Sequence, residues 1–202
     1  MKILVIGATG TIGKALSGLL KEKGHQVVEA SRSSQPAIDF TDNSSIDRFY
    51  TALGEVDAIV TAAGDAAFVA LNSLTEDQIQ LSLHSKLMGQ INAVRKGLKH
   101  LRPGGAAVIT GGMLAYYPWP QTAMIAMVNR GLEGFVMGAA LDMTEGRRVM
   151  IVHPPWVAET AAALGMDASP WPNAAKVART YWHAIESGQN GAPVFVEGYG
   201  PK

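Results

Sequence analysis

The sequence predicts an α/β fold: a parallel sheet with helices on both faces, doubly wound. Three observations carry that prediction. Short β-branched runs alternate with longer helix-patterned stretches from one end of the chain to the other. Most of those runs are continuously apolar rather than alternating, as strands covered on both faces must be. A glycine-rich turn joins the first run directly to the first helical stretch.

The elements follow in order. Residues 3–6 form a first strand, and 11–23 a first helix closed by Gly24. Strands at 26–29 and 37–38 precede a helix at 44–53, and 57–60 is a further strand. A long helical stretch, 75–101, is ended by Arg102-Pro103-Gly104-Gly105, after which 106–110 is a strand. Helix 121–143, strand 148–152, helix 173–186 and strand 194–196 complete about seven strands. Residues 153–172, rich in Pro, Trp and Ala, break the rhythm and read as a lid or rim loop.

With 202 residues, residues 1–202 read as a single domain. The 17 Lys+Arg balance the 17 Asp+Glu, which gives no global attraction to nucleic acid or anionic lipid. Absence of cysteine excludes disulfides, thiolate metal sites and cysteine nucleophiles. No histidine spacing suggests a metal site, and no apolar run approaches the roughly 20 residues of a membrane span. Strand-like Lys2-Ile3-Leu4-Val5-Ile6 leaves no room for a signal peptide, so a cytoplasmic location is expected.

Chemistry enters at Gly7-Ala8-Thr9-Gly10-Thr11-Ile12-Gly13, between strand and helix. Gly7 permits the tight turn, Gly10 lets backbone approach a pyrophosphate, and Gly13 lets the helix pack closely on the sheet. Free N–H groups and the positive dipole end of the helix face the phosphates, with Thr9 and Thr11 as further donors. A Gly-rich corner with no ligand is the bland alternative, but the strand before and helix after favour a Rossmann-type dinucleotide site. After the second strand, Ala30-Ser31-Arg32-Ser33-Ser34 carries an arginine where an NAD site carries an acid. Against the bland reading of a solvated surface Arg, Arg32 is placed to accommodate a 2′-phosphate, with Ser31 and Ser33 as supplementary donors, so NADP(H) is expected in preference to NAD(H).

At these positions the chain resembles the short-chain dehydrogenase/reductase family over nearly its whole length. Thr61-Ala62-Ala63-Gly64 resembles the family's NNAG segment, which borders adenine and ribose. Asp39, in Ile38-Asp39-Phe40-Thr41, matches the family's adenine-contacting Asp, and Phe40 joins it in the cofactor site. Asn129-Arg130-Gly131-Leu132-Glu133-Gly134-Phe135 matches the segment that begins with the catalytic lysine. His153-Pro154-Pro155-Trp156 resembles the family's PG turn, with Pro154 at the cofactor and Pro155 in place of glycine. The resemblance also implies a homodimer or homotetramer paired through two helices.

The departures fall on the active site. By the same resemblance, the family's Tyr falls on Ile125, its Lys on Asn129, its Ser on Gly112 and its Asn on Lys86. All four identities are absent, as in a small divergent subgroup that keeps the cofactor turn. Lys and Asn have exchanged places, so Lys86 and Asn129 are candidate catalytic residues, against coincidental drift with Lys86 reaching solvent. Tyr117, beside Tyr116 on the loop bordering the nicotinamide, is a substitute acid, against simple rim packing. His84 and His153 are weaker candidates, and satisfied structure is the commoner role of a lone His. Basic residues 95–102 complement the dipole of the helix they end. Met113, Trp156 and Trp171 flank sheet-end loops and are candidates for lining a pocket.

An NADP-dependent oxidoreductase acting on a small apolar carbonyl or alcohol through an unusual proton-transfer arrangement is therefore expected. The alternative is a non-catalytic NADP(H)-binding sensor or interaction module. The small-molecule substrate is not legible.

Overall fold

The computed structural model describes residues 1–202. One sheet of six parallel strands runs through it: β1 (Lys2–Ile6), β2 (Gln26–Ala30), β3 (Val56–Thr61), β4 (Leu101–Thr110), β5 (Arg148–His153) and β6 (Pro193–Phe195). Their spatial order is β2-β1-β3-β4-β5-β6. The chain leaves β1 to one side for β2 and then returns to its other side for β3. A crevice therefore opens at the carboxyl ends of β1 and β3, the place where such sheets take ligands.

Side-chain alternation along each strand divides the core in two. Ile3, Val5, Val108 and Val152 point to one face, where Leu16 and Leu20 of α1 (Thr11–Glu22) meet Val177 and Tyr181 of α7 (Ala174–Ser187). Leu4, Ile6, Ile109 and Ile151 point to the other. There they pack on Phe49 and Tyr50 of α2 (Asn43–Leu53) and on Leu132 and Val136 of α5 (Ala123–Ala139). The Tyr50 hydroxyl, fully buried, donates to Ala93 O at 2.8 Å, and burial pushes its pKa well upward.

The long middle helix is not uniform. Thr75 and Gln78 form a capping box at the start of α3 (Glu76–Leu81). The helix then widens into a π-helical stretch, Ser82–Gly89, before α4 (Gln90–Gly97). Ser82 and Ser85 in that stretch accept hydrogen bonds from Ala67 N and Asp65 N, each at 2.9 Å, which pins the loop after β3. A short helix α6 (Ala158–Ala163) lies within 153–172, whose first residues, His153, Pro154 and Pro155, are buried.

One expected strand is absent, which makes six rather than seven. At 37–38 only two residues are available, and Pro36 has no N–H to extend a ladder. Ile38 instead donates its N–H to Ser31 O at 3.0 Å, closing a loop, while its side chain still enters the core at 2% exposure. Helix α5 continues into a further helical turn, and the stretch Ala123–Asp142 is apolar enough to match a membrane span by length and composition. Its Val128, Leu132 and Val136 are buried against the sheet, and Arg130 and Glu133 sit at its middle.

Candidate cofactor and active site

A cleft of about 570 Å³ opens at the crevice between β1 and β3. That is within the roughly 300–1,000 Å³ of small-molecule sites. Its walls include Gly7, Thr9 and Gly10 from the first turn, Ser31, Arg32 and Ser33 from the second, Asp39 and Phe40, and Ala62, Ala63 and Gly64 after β3. Thr11, Ile12, Gly13 and Pro154 are not among them. Thr11 is exposed at the first turn of α1, and Ile12 packs on the core.

Backbone geometry explains the glycines. Gly7 has φ +89°, and a Cβ there would lie 2.5 Å from Ala62 O. A Cβ on Gly13 would lie 2.1 Å from Gly7 O, so only glycine lets α1 approach the turn. Gly10 is the N-cap of α1 and lines the cleft, and it supplies no side-chain cap, which leaves the first N–H groups of the helix without a side-chain acceptor. Those donors suit an anion.

At the far end of the cleft Arg32 is exposed, and no carboxylate pairs with it. The nearest acid in sequence, Glu29, is held away by Lys21 at 2.9 Å. Ser31 Oγ and Ser33 Oγ lie 3.1 Å apart beside Arg32. Asp39 Oδ1 accepts from Thr41 N at 2.9 Å and from Thr41 Oγ1 at 2.8 Å, so this carboxylate first shapes its own turn. Uncapped helix end, space above the glycines and exposed guanidinium together could hold an anionic dinucleotide.

Beyond the cleft, the end of β4 is gripped by three side chains. Lys86 Nζ, from the π-helical stretch, donates to Gly111 O at 3.3 Å. Asn129 Nδ2, from α5, donates to Gly112 O at 3.5 Å. His153 Nδ1, from the end of β5, lies 3.0 Å from Gly112 N and 3.1 Å from Gly112 O. The register places Thr110 opposite Val152, which brings the glycine pair beside His153. Lys86 and Asn129 thus meet the carbonyls of adjacent residues. Removal of the Lys86 ammonium from water pulls its pKa down to about 8, opposed by the charge of Asp65. Asn129 is 2% exposed and its Oδ1 is buried with no partner.

The two tyrosines separate. Tyr117 is exposed, and its hydroxyl accepts from Lys202 N at 2.8 Å, outside the cleft wall. Tyr116 turns inward and donates to Glu133 Oε1 at 2.6 Å, with the Arg130 guanidinium 3.9 Å over its ring. Burial first, then contact with Glu133, pushes the Tyr116 phenol up to about 12. Glu133 Oε2 accepts from Arg130 at 3.0 Å and faces His153 Nε2 at 3.4 Å. Sequence reasoning missed this Tyr116–Glu133–His153 cluster, because nothing in residue spacing signals it. His84 is exposed, and Lys96 and Arg102 pair with Asp47 of α2 and Asp57 of β3.

Trp119, Trp156 and Trp171 gather at the sheet-end loops, with ring centroids 6.1 Å and 5.9 Å from Trp119, and Phe68 meets Trp156 edge-on. Met113 is buried beside Gly112.

The family model for short chain dehydrogenases matches residues 1–169, and the chain belongs to that family. Carbonyl reductase family member 4 of Danio rerio is 27% identical over 218 residues, spanning 91% of this chain and 90% of that protein. The crystal structure of protein lin1944 from Listeria innocua matches at 37% identity with a TM-score of 0.90, over 97% of this chain and 99% of that one. A short chain dehydrogenase from Burkholderia cenocepacia J2315 in complex with NADP matches at 26% identity with a TM-score of 0.82, over 97% and 96% of the two chains.

Proposed function

We propose that this protein is an NADP(H)-dependent oxidoreductase that reduces a small apolar carbonyl, or oxidises the matching alcohol, with Lys86 and Asn129 in place of the family's usual groups. The observation that carries the reading is Arg32, unpaired at the rim of a glycine-floored cleft while Glu29 is tied to Lys21. The NADP in the Burkholderia cenocepacia relative and the reductase name of the Danio rerio one support it.

Gly7, Gly10 and the N-terminus of α1 would hold the pyrophosphate, Arg32 with Ser31 and Ser33 the 2′-phosphate, and Phe40 with Ala62 to Gly64 the adenine side. Bound NADPH supplies a hydride. Lys86 holds a proton on Nζ below about pH 8 and delivers it to the substrate oxygen. Asn129 orients a hydroxyl or carbonyl through its amide, with the unpartnered Oδ1 free to accept. Residues 153–172 close over the substrate end as a lid, and the outer face of α5, with Met127 and Met137 exposed and Gly134 and Gly138 open, pairs two copies.

NADPH consumption against a broad carbonyl panel, run beside calorimetric NADPH binding, tests the reading. Turnover lowered by Lys86→Met is the expected result. Tight binding with no turnover on any carbonyl would favour the second reading, a non-catalytic NADP(H) sensor, for which the apolar Ile125 and bare Gly112 are the motivating residues. Absence of NADPH binding would contradict both.

A further inference from the structure

We infer that His153 is a positioning residue of this site: a neutral imidazole, protonated on Nε2 toward Glu133, whose Nδ1 holds the Gly112 peptide and thereby sets the Asn129 amide. The inference rests on the proposed role of Asn129 in ligand contact, but its structural half stands apart from any cofactor.

His153 is completely buried at the carboxyl end of β5. Its Nδ1 lies within hydrogen-bond distance of both the N–H and the C=O of Gly112, at 3.0 and 3.1 Å, and can serve only one at a time. With Nδ1 unprotonated, it accepts from Gly112 N, and the ring proton sits on Nε2. That nitrogen makes no hydrogen bond of its own, and Glu133 Oε2 faces it at 3.4 Å. Tyr116 and Arg130 fix the carboxylate from the other side, so Glu133 is oriented before His153 meets it. A carboxylate behind an imidazole selects its tautomer.

The glycine pair is shaped to this arrangement. A Cβ on Gly111 would lie 2.5 Å from His153 Cε1, and one on Gly112 would lie 2.8 Å from Asn129 Nδ2. The two side chains thus fill the space beside the two glycines, and Gly112 O, which accepts from Asn129 Nδ2, also lies within reach of His153 Nδ1. Phe195 of β6 stacks on the imidazole at 5.7 Å, and Tyr116 meets it edge-on at 5.4 Å, so aromatic rings pack on it from two sides.

Protonation would reverse the contact. A proton on Nδ1 must be donated to Gly112 O, leaving Gly112 N without its acceptor and competing with Asn129 for the same carbonyl. The groups facing His153 are Glu133 and Arg130 from α5, Lys86 from the π-helical stretch and Tyr116 from the loop after β4; β6 offers only Phe195. Burial lowers the His153 pKa from 6.5, opposed by Gly112 O and Glu133 and aided by Arg130 and Lys86, so the neutral form holds at pH 7.

Nitrogen-15 NMR of the full chain tests this at pH 7.5 and in acid. The expected spectrum shows the Nε2–H tautomer at pH 7.5, with the Gly112 amide and the Asn129 side-chain amide moving together as His153 titrates below pH 6.5. Calorimetry at pH 7.5 supplies the second arm. His153→Leu, which removes both contacts, should weaken NADPH binding about tenfold, as the loss of one buried hydrogen-bonded contact does. His153→Asn, whose amide oxygen can stand where Nδ1 stands, should recover most of it. An Nδ1–H tautomer, or an Asn129 amide that ignores the His153 titration, overturns the inference, as does a folded His153→Leu with unchanged affinity. If His153→Leu fails to fold, the NMR arm alone decides. An unmodified protein that binds no NADPH contradicts the proposed function instead and leaves the tautomer result to stand.

Discussion

The side-chain amide of Asn129 stands where a side chain on Gly112 would have to go, 2.8 Å from the position of its Cβ. Gly112 has φ 162°, an extended backbone open to any residue, so space and not conformation keeps it bare. Asn129 is buried and cannot swing into solvent. Gly112→Ala should therefore cost about 1–3 kcal/mol in chemical denaturation, as overpacking does. Combining it with Asn129→Ala should cost less than the sum, by about 0.5–3 kcal/mol. Additive costs would show that the two positions are independent.

Glycines in α1 should divide sharply. A Cβ on Gly13 meets backbone at 2.1 Å, which no side-chain adjustment relieves, whereas a Cβ on Gly18 meets nothing within 4 Å. Gly13→Ala should lose about 3 kcal/mol or more. Gly18→Ala, in the same helix, should gain roughly 0.5–1 kcal/mol. Similar melting temperatures for the two variants would contradict the close approach of α1 to the turn.

Lys86 links the site to pH. Its folded pKa of about 8 lies below the 10.5 of the free side chain. Between those values the unfolded chain binds the proton that the folded chain has lost, so stability rises with pH across that window. Below about pH 8 both states are protonated and the folded one carries the cost of a half-buried ammonium. Lys86→Met should therefore raise the melting temperature at pH 7, and its advantage should shrink toward pH 10.5. An advantage independent of pH would place the Lys86 ammonium in water.

Much of the cofactor end is legible because it is local. Gly7 to Gly13 is one turn, read from spacing, and Arg32 follows directly on the second strand, so each needs only its neighbours in the chain. The peptide groups of Gly111 and Gly112 are different. Their partners Lys86, Asn129 and His153 come from three separate elements, and the pairing of Thr110 with Val152 decides which residue faces the glycines. Tyr116 and Tyr117 are adjacent in sequence, yet one is drawn inward by Glu133 and Arg130 while the other reaches Lys202. No period in the sequence encodes that division. The strand expected at 37–38 failed for a local reason, since two apolar residues after a proline were better used to close a loop.

Cofactor choice at Arg32 is the most direct test of the account. Calorimetry with NADPH and NADH, on the unmodified protein and on Arg32→Asp, reads the guanidinium against the 2′-phosphate alone. The account predicts NADPH bound roughly tenfold or more tightly than NADH, the size of a charge-assisted contact, with the preference abolished in Arg32→Asp and NADH binding little changed. Equal affinities for the two dinucleotides in the unmodified protein would contradict it.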